Sequence, residues 1–390
     1  MNISPRARGR NHTEDVHRHN LSAILTLVHR SGGVPRARLT ELSGLNRSTV
    51  ASLVAELVGA RLVIEAEPDV RERAGRPSRY VRPSPHPVAI AVNPEVDAIT
   101  LGVVGLGGNL IRSTRRPVAG APTVSNIVAT IAAMIGELDL AGHRVVGVGA
   151  AVPGIVRRQD GVVRLAPHLG WVDAPFAKLL EDATGLTVHV ANDASLGASA
   201  ERLFGAGVDA SDLVYLNGGA SGIGGGVVVA GNALGGVAGY AGELGHTLVN
   251  STGHACHCGA SGCLETEVSQ AALLGVLGIA DAAELQPALA AATSAAVDAE
   301  VARQLDFLAI ALRNIINVFN PGRIVLGGFL GILHDADPER LTALVGATAL
   351  RAPFETVRIM RAALGPDGLM IGAAELAFLP ILADPASGWQ

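Results

Sequence analysis

His246, Cys256, Cys258, Cys263 and Glu265 stand within one short run of the chain, and its three cysteines are the only ones in 390 residues. One imidazole and three thiolates make up a closed, tetrahedral zinc site, and Cys-x-Cys-x4-Cys with Gly259 and Gly262 lets a short loop wrap one ion. Four protein ligands leave no position for a metal-bound water. The expected chemistry is therefore structural Zn2+ on His246, Cys256, Cys258 and Cys263. His254 and His257 are rival ligands that spacing does not separate from His246.

Other chemically loaded residues end strand-like runs, where α/β folds place ligands. TVHVAND carries Asn192 and Asp193. A carboxylate beside a carboxamide can take a proton from a sugar hydroxyl or hydrogen-bond it; equally, Asp193 can cap the helix that follows, Ala194 to Phe204. Residues 218–226, GGASGIGGG, would let backbone N–H groups approach a phosphate, although such glycines also make tight hairpins. Gly327 and Gly328 end a further strand, RIVLGG.

These ends need a body to position them, and residues 88–390 alternate strands and helices. VAIAV, AITLGVVGL and NLIRSTRRPV read as strands, followed by a helix from Val124 to Leu138 and the strand VVGVGAAVPG. A long helix from Ala299 to Phe319 precedes RIVLGG. The class is α/β with two lobes: residues 86–192 joined by 370–390, and residues 193–369 with the cysteine loop.

Residues 1–85 read as a separate domain. Leu21, Ile24, Leu25 and Val28 recur at helical spacing, and Gly32-Gly33 stops that helix. A short helix, Arg36–Ser43, and a longer one, Arg47–Ala60, follow, the latter capped by Asn46 with Val50, Leu53, Val54 and Leu57 on one face. This is a helix-turn-helix pattern, whose last helix enters the major groove N-terminus first, so Arg47, Ser48 and Thr49 would point at DNA. Strand-like pieces 62–67 and 78–83 flank PDVRERAGRP as a wing. Its tip, with Arg71, Arg73, Gly75, Arg76 and Pro77, is slim and cationic enough for a minor groove. Pro83, Pro85 and Pro87 read as a stiff linker, and residues 1–15 as disordered.

Charge follows the same division. The first 85 residues hold 14 Arg against 8 acidic residues, net +6, and the remaining 305 carry −11. A basic arm on an acidic body suits contact with a polyanion. No run of eighteen apolar residues lacks charge and the N-terminus has no apolar core, so no membrane span or signal peptide is expected, and a cytoplasmic location is. Clustered cysteines there point to metal before disulfide.

Several runs together resemble the ROK family of repressors, open reading frames and sugar kinases. They are VPG (152–154), APHLGW (166–171), ANDAS (191–195), SGIGGGVVVAG (221–231), AGELGHTLVNSTGHACHCGASGCLE (241–265) and NPGRIVLGG (320–328). The resemblance covers nearly the whole chain. It implies a winged helix-turn-helix on a two-lobed, actin-like, ribonuclease-H-like fold of the ATPase-type sugar kinases. It implies zinc on His246, Cys256, Cys258 and Cys263, and sugar hydroxyls held by Asn192, Asp193, Glu243, His246 and Glu265. In the family's kinases the residue matching Asp193 is the base that activates the sugar hydroxyl.

Two positions depart from the pattern. The kinases carry Asp-x-Gly-Gly-Thr on the first strand of the body, a phosphate-facing turn; here Asn93, Pro94 and Glu95 occupy it. Proline removes an N–H donor and Glu95 adds negative charge, so ATP use is not expected and the chain reads as no enzyme. His168 stands where the family has Asn. The reading is a sugar-responsive regulator, a repressor, that binds operator DNA as a homodimer or homotetramer and takes a sugar or sugar phosphate. The alternative is an ATP-dependent sugar kinase with a DNA-binding head; a third reading has a partner protein on the body controlling release.

Overall fold

The computed structural model describes residues 5–67, 79–118 and 123–387. The head comprises α1 (Pro5–Ser31), β1 (Val34–Pro35), α2 (Arg36–Ser43), α3 (Arg47–Gly59), β2 (Val63–Ala66) and β3 (Tyr80–Pro83). α2 and α3 fall where periodicity put them. α1 begins at Pro5, which corrects the expectation of disorder for residues 5–15; residues 1–4 lie outside the described residues. The early turns of α1 lack an apolar stripe; just beyond them Arg18 meets Asp15 at 2.7 Å and His17 meets Glu56 of α3 at 2.9 Å, before the buried face from Leu21 to Val28 takes over. β1 is a third head strand that the two residues Val-Pro did not announce. It pairs with β3, whose other edge pairs with β2. The wing-tip residues Arg71, Arg73, Gly75, Arg76 and Pro77 lie outside the described residues.

The body begins with β4 (Pro87–Pro94), β5 (Ala98–Gly105), β6 (Asn109–Pro117), α4 (Val124–Gly136) and β7 (Arg144–Val152). A small antiparallel sheet follows, β8 (Ile155–Arg157), β9 (Val162–Ala166) and β10 (Trp171–Ala174), then α5 (Phe176–Thr184), β11 (Val188–Asn192) and α6 (Asp193–Phe204). The second half runs β12 (Leu213–Gly219), β13 (Gly222–Val229), β14 (Asn232–Ala233), α7 (Leu264–Glu267), α8 (Gln270–Leu277), α9 (Leu285–Ala291) and α10 (Ala295–Phe319). It closes with β15 (Arg323–Gly328), α11 (Phe329–Ala336), α12 (Pro338–Thr348), α13 (Arg351–Thr356), β16 (Arg358–Arg361) and α14 (Gly368–Ala383).

The two large sheets share one topology: β11-β7-β4-β5-β6 and β14-β13-β12-β15-β16. In each, an antiparallel meander is extended from its first strand by two parallel strands. This is a duplicated ribonuclease-H-like unit, the actin-like arrangement. β4 is buried at every position. Its Ile90 and Val92 pack with Ile127, Val128 and Ile131 of α4, while Ala89 and Ala91 pack with Ala373, Ala374 and Ala377 of α14. Alternation along one strand therefore feeds two cores, and alanine on one face lets α14 approach closely.

The helices that end each half cross over. α6 leaves the first sheet and packs on β12 and β13; α14 leaves the second and returns to β4 and β7. By length and composition Gly365–Ala383 could cross a membrane, but α14 is enclosed by the first sheet, α6 and α1.

The stiff linker expected at Pro83, Pro85 and Pro87 is corrected. Pro83 ends β3 and Pro87 starts β4. Between them Ser84 is buried and its N–H donates to Leu62 O, while His86 O accepts from Arg144 N. Head and body also share one hydrophobic core, in which Leu21, Ile24, Leu25 and Val28 of α1 join Phe378, Ile381 and Leu382 of α14.

Candidate functional site

α3 presents Arg47 and Ser48 on the surface and Thr49 half-exposed. Asn46 caps the helix, its Oδ1 accepting from Thr49 N at 2.9 Å and from Ser48 Oγ at 2.7 Å. The cap holds the first turn in shape while Arg47 stays free to reach outward.

The cysteine loop is drawn tight by two antiparallel bridges, Leu248 with Cys263 and Ala255 with Ser261. Gly262 has φ +74°, and a Cβ there would strike the Asn250 carbonyl, so this turn requires glycine. The result gathers His246, Cys256, Cys258 and Cys263, whose ligand atoms all lie within 4.8 Å of one another. Cys258 Sγ is 3.7 Å from Cys263 Sγ, and Cys256 Sγ is 3.5 Å from His246 Nδ1. A tetrahedral zinc with Zn–S about 2.3 Å and Zn–N about 2.0 Å spaces such donors about 3.5–3.8 Å apart, so the set fits a metal ion. Burial pushes the Cys256 thiol up to about 12, while the Ala260 backbone N–H holds Cys258 low.

Of the rival histidines, His254 is in neither group of potential ligands, and its N–H donates to Glu267 Oε1 at 2.8 Å. His257 stays close, forming a second group with His246 and Glu265. Glu265 Oε1 lies 3.2 Å from His257 Nδ1, 3.4 Å from His246 Nδ1 and 3.1 Å from Cys256 Sγ. The residue read as a sugar ligand thus also buttresses the metal cluster. His168 stacks edge-on against His257 with ring centroids 5.5 Å apart, so the family departure sits beside this cluster.

Asn192, not Asp193, is the N-cap of α6. Its Oδ1 accepts from Ser195 N at 3.0 Å and its Nδ2 donates to Gly154 O at 3.1 Å. Asp193 is left with one neighbour bond, from Ala194 N at 2.8 Å. Burial pushes Asp193 up to about 6, and the charges of Glu243 and Glu95 add to it while the Ala194 N–H opposes. Glu243 is raised by the protein around it and by Glu265, against the pull of His246, although its surface stays exposed. Glu243 is thus linked electrostatically to Asp193 on one side and to His246 and Glu265 on the other. β13 lies close against Glu265: a Cβ at Gly222, φ +120°, would strike the Glu265 carboxylate.

The turn after β4 is near enough for the Glu95 charge to act on Asp193. Pro94 has no N–H, and the Glu95 N–H donates to Ala98 O at 2.8 Å within the turn. Burial raises Glu95, with Arg115 opposing.

Three residues escaped the sequence reading. Glu267 is buried and joins Asn250 to the His254 backbone, supporting the metal loop from α7. His29 and Glu375 meet at 3.0 Å between α1 and α14. His29 and Glu375 each lie in an apolar helical stretch, where a lone polar residue was the only available signal; Glu267, in LETE, carried none.

Fold and site together define a winged helix-turn-helix head on a duplicated α/β body of the sugar-kinase kind. The chain belongs to the ROK family, whose model matches residues 89–378. It is 26% identical over 385 residues to the xylose repressor of Caldicellulosiruptor bescii, covering 90% of this chain and 93% of that protein. It is 32% identical over 287 residues to the glucokinase of Halalkalibacterium halodurans, but that match takes in only 67% of this chain and 85% of the kinase. A solved ROK family transcriptional regulator, a homolog of the E. coli MLC protein, superposes with a TM-score of 0.76 at 25% identity, covering 95% of this chain and 97% of that one.

Proposed function

We propose that this chain is a sugar-responsive DNA-binding regulator, a repressor of carbohydrate-metabolism genes. It works as a homodimer whose two α3 helices and wings meet a pseudo-palindromic operator. Arg47, Ser48 and Thr49 contact the major groove, and Arg73, Gly75, Arg76 and Pro77 the minor groove. Asn192, Asp193, Glu243, His246 and Glu265 hold the hydroxyls of a sugar, free or phosphorylated. Zinc on His246, Cys256, Cys258 and Cys263 supplies a structural cross-link that fixes the loop bearing two of those residues. The protein acts where its operator is, in the cytoplasm.

One observation carries this reading: α6 starts at Asp193 of the proposed sugar cleft and ends at Phe204, whose ring meets His29 of the head. A sugar that prefers one setting of the cleft thereby biases one setting of the heads. Phosphoryl transfer is absent from this proposal because Pro94 and Glu95 replace phosphate donors with a missing N–H and a negative charge. Asp193 with its raised pKa does suit a general base, and it favours the second reading, a sugar kinase. A coupled ATPase assay over a hexose panel tests that reading.

The main test is fluorescence anisotropy on upstream DNA titrated with neutral and phosphorylated sugars. One sugar should reverse tight binding, and Glu243→Ala should keep operator affinity and lose the response. Binding indifferent to every sugar would sink the sugar site and point to a partner protein; no binding would sink the regulator.

A further inference from the structure

A cavity of about 560 Å³ lies at the junction of head and body, between α1, α6, α14 and the turn around β14. It runs along one face of α6, from Asn192 through Ser195, Leu196 and Ser199 to Arg202 and Leu203, at the helical spacing of three and four. Ser22, Thr26, His29 and Arg30 of the head close one side, and Glu375, Leu376 and Leu379 of α14 another. Of the five residues proposed to hold sugar, Asn192 lines its end, and Asp193, Glu243, His246 and Glu265 do not.

Two features of its wall are chemically incomplete. Arg202 is half-buried, and among the described residues no carboxylate pairs with it, with Arg30 or with Arg158, which also lines the space. Burial and the neighbouring Arg30 both lower Arg202 from its ordinary value, as an uncompensated pair of guanidinium groups should. The second feature is Glu375, whose side chain is 10% exposed. Its Oε2 accepts from His29 Nε2 at 3.0 Å; the tautomer follows from His29 Nδ1, which accepts from Gly107 N at 2.9 Å. Its Oε1 is buried with no partner. A buried carboxylate oxygen left bare is costly unless something donates to it.

We propose that this cavity is a second small-molecule site, adjoining the proposed sugar site at Asn192 but otherwise built on other residues, for a hydroxylated organic anion. The anionic group sits on Arg30 and Arg202, hydroxyls meet Ser195 and Ser199 of α6 across from the Glu375 side chain, and the carbon skeleton lies along Leu196, Leu376 and Leu379. The volume suits a molecule of sugar size. An occupant touches α1 of the head, α6 and α14 at once, so it stiffens the joint through which cleft and heads communicate. The inference goes beyond the proposed sugar response and stands if that response fails.

The test is titration calorimetry on the full chain carrying Glu243→Ala, so that the cleft cannot account for the heat. The probes are glucose 6-phosphate, gluconate and inorganic phosphate. One of the two hydroxylated anions should bind, which also separates a phosphate ester from a carboxylate. Arg202→Gln should weaken it by about tenfold or more, the effect of a lost charge-assisted contact. Arg30→Gln, at an exposed position, should do the same and carries the test if Arg202→Gln misfolds. Hydrogen exchange should slow over residues 22–30 and 195–203. Absence of heat from both organic anions, heat from inorganic phosphate alone, or affinity unchanged in both arginine variants would overturn the proposal.

Discussion

Asp193 is half-buried within reach of the charges of Glu243 and Glu95, and its pKa of about 6 has a consequence for stability. The folded state disfavours the carboxylate relative to an ordinary pKa of about 3.9, so stability is lost as pH rises from about 4 to 6 and stays lost above it. Asp193→Asn keeps the oxygen that accepts the Ala194 N–H and removes the charge. Its melting temperature should exceed the wild type's by a few degrees at pH 8, and the gap should close towards pH 4.5; scanning fluorimetry at both pH values checks the sign. The metal loop makes a second prediction at this scale. One zinc per chain should be found by elemental analysis, and chelation or Cys258→Ser should lower the melting temperature and speed hydrogen exchange over residues 246–265. Absence of bound metal would overturn it. The four candidate ligands were legible because they lie within eighteen positions, although spacing left His254 and His257 as rivals of His246. Glu265 was half legible: its carboxylate was placed on the sugar, and the fold also sets it against Cys256 and His257.

α3 and α4 offer a controlled comparison at the scale of elements. Asn46 caps α3 with a bond of 2.9 Å, and Thr123 caps α4 with one of 3.3 Å. Replacing either cap by Ala should cost about 1 kcal/mol in a urea melt. Only Asn46→Ala should also weaken operator binding several-fold, because Asn46 also orders Ser48 beside Arg47; anisotropy on the same DNA decides it. Helices and strands of the head and body were largely readable, since apolar period and caps report local geometry. Errors fell at ends, as with α10, which starts at Ala295 where Ser294 caps it and not at Ala299. They fell also on β1, whose strand character comes from pairing with β3 and not from its own two residues.

For the whole molecule, His29 is the point where head and body lock. It is 1% exposed, bonded to Glu375 and the Gly107 backbone, and packed on Phe204 and Phe378 at 5.4 and 5.9 Å. His29→Ala leaves Glu375 buried with both oxygens bare and opens a gap between two rings, a loss of about 3 kcal/mol or more. Because one hydrophobic core spans head and body, the wild type should melt as a single unit, and His29→Ala should split off an earlier transition of the head in calorimetry. A single unchanged transition would count against the lock.

Residue order alone carried the helix-turn-helix, the strand and helix alternation of the body and the candidate metal cluster, because each depends on spacing within a short run of chain. It also carried the loss of the phosphate turn, which is a matter of which residues stand at 93–95. Only the tertiary structure decided that the supposed linker is a packed joint, that Asn192 and not Asp193 caps α6, and that α6 and α14 trade sheets. The reason is physical: a buried polar pair such as His29 and Glu375, 346 positions apart, has no local signature, and exists only once two helices from opposite ends of the chain exclude water together.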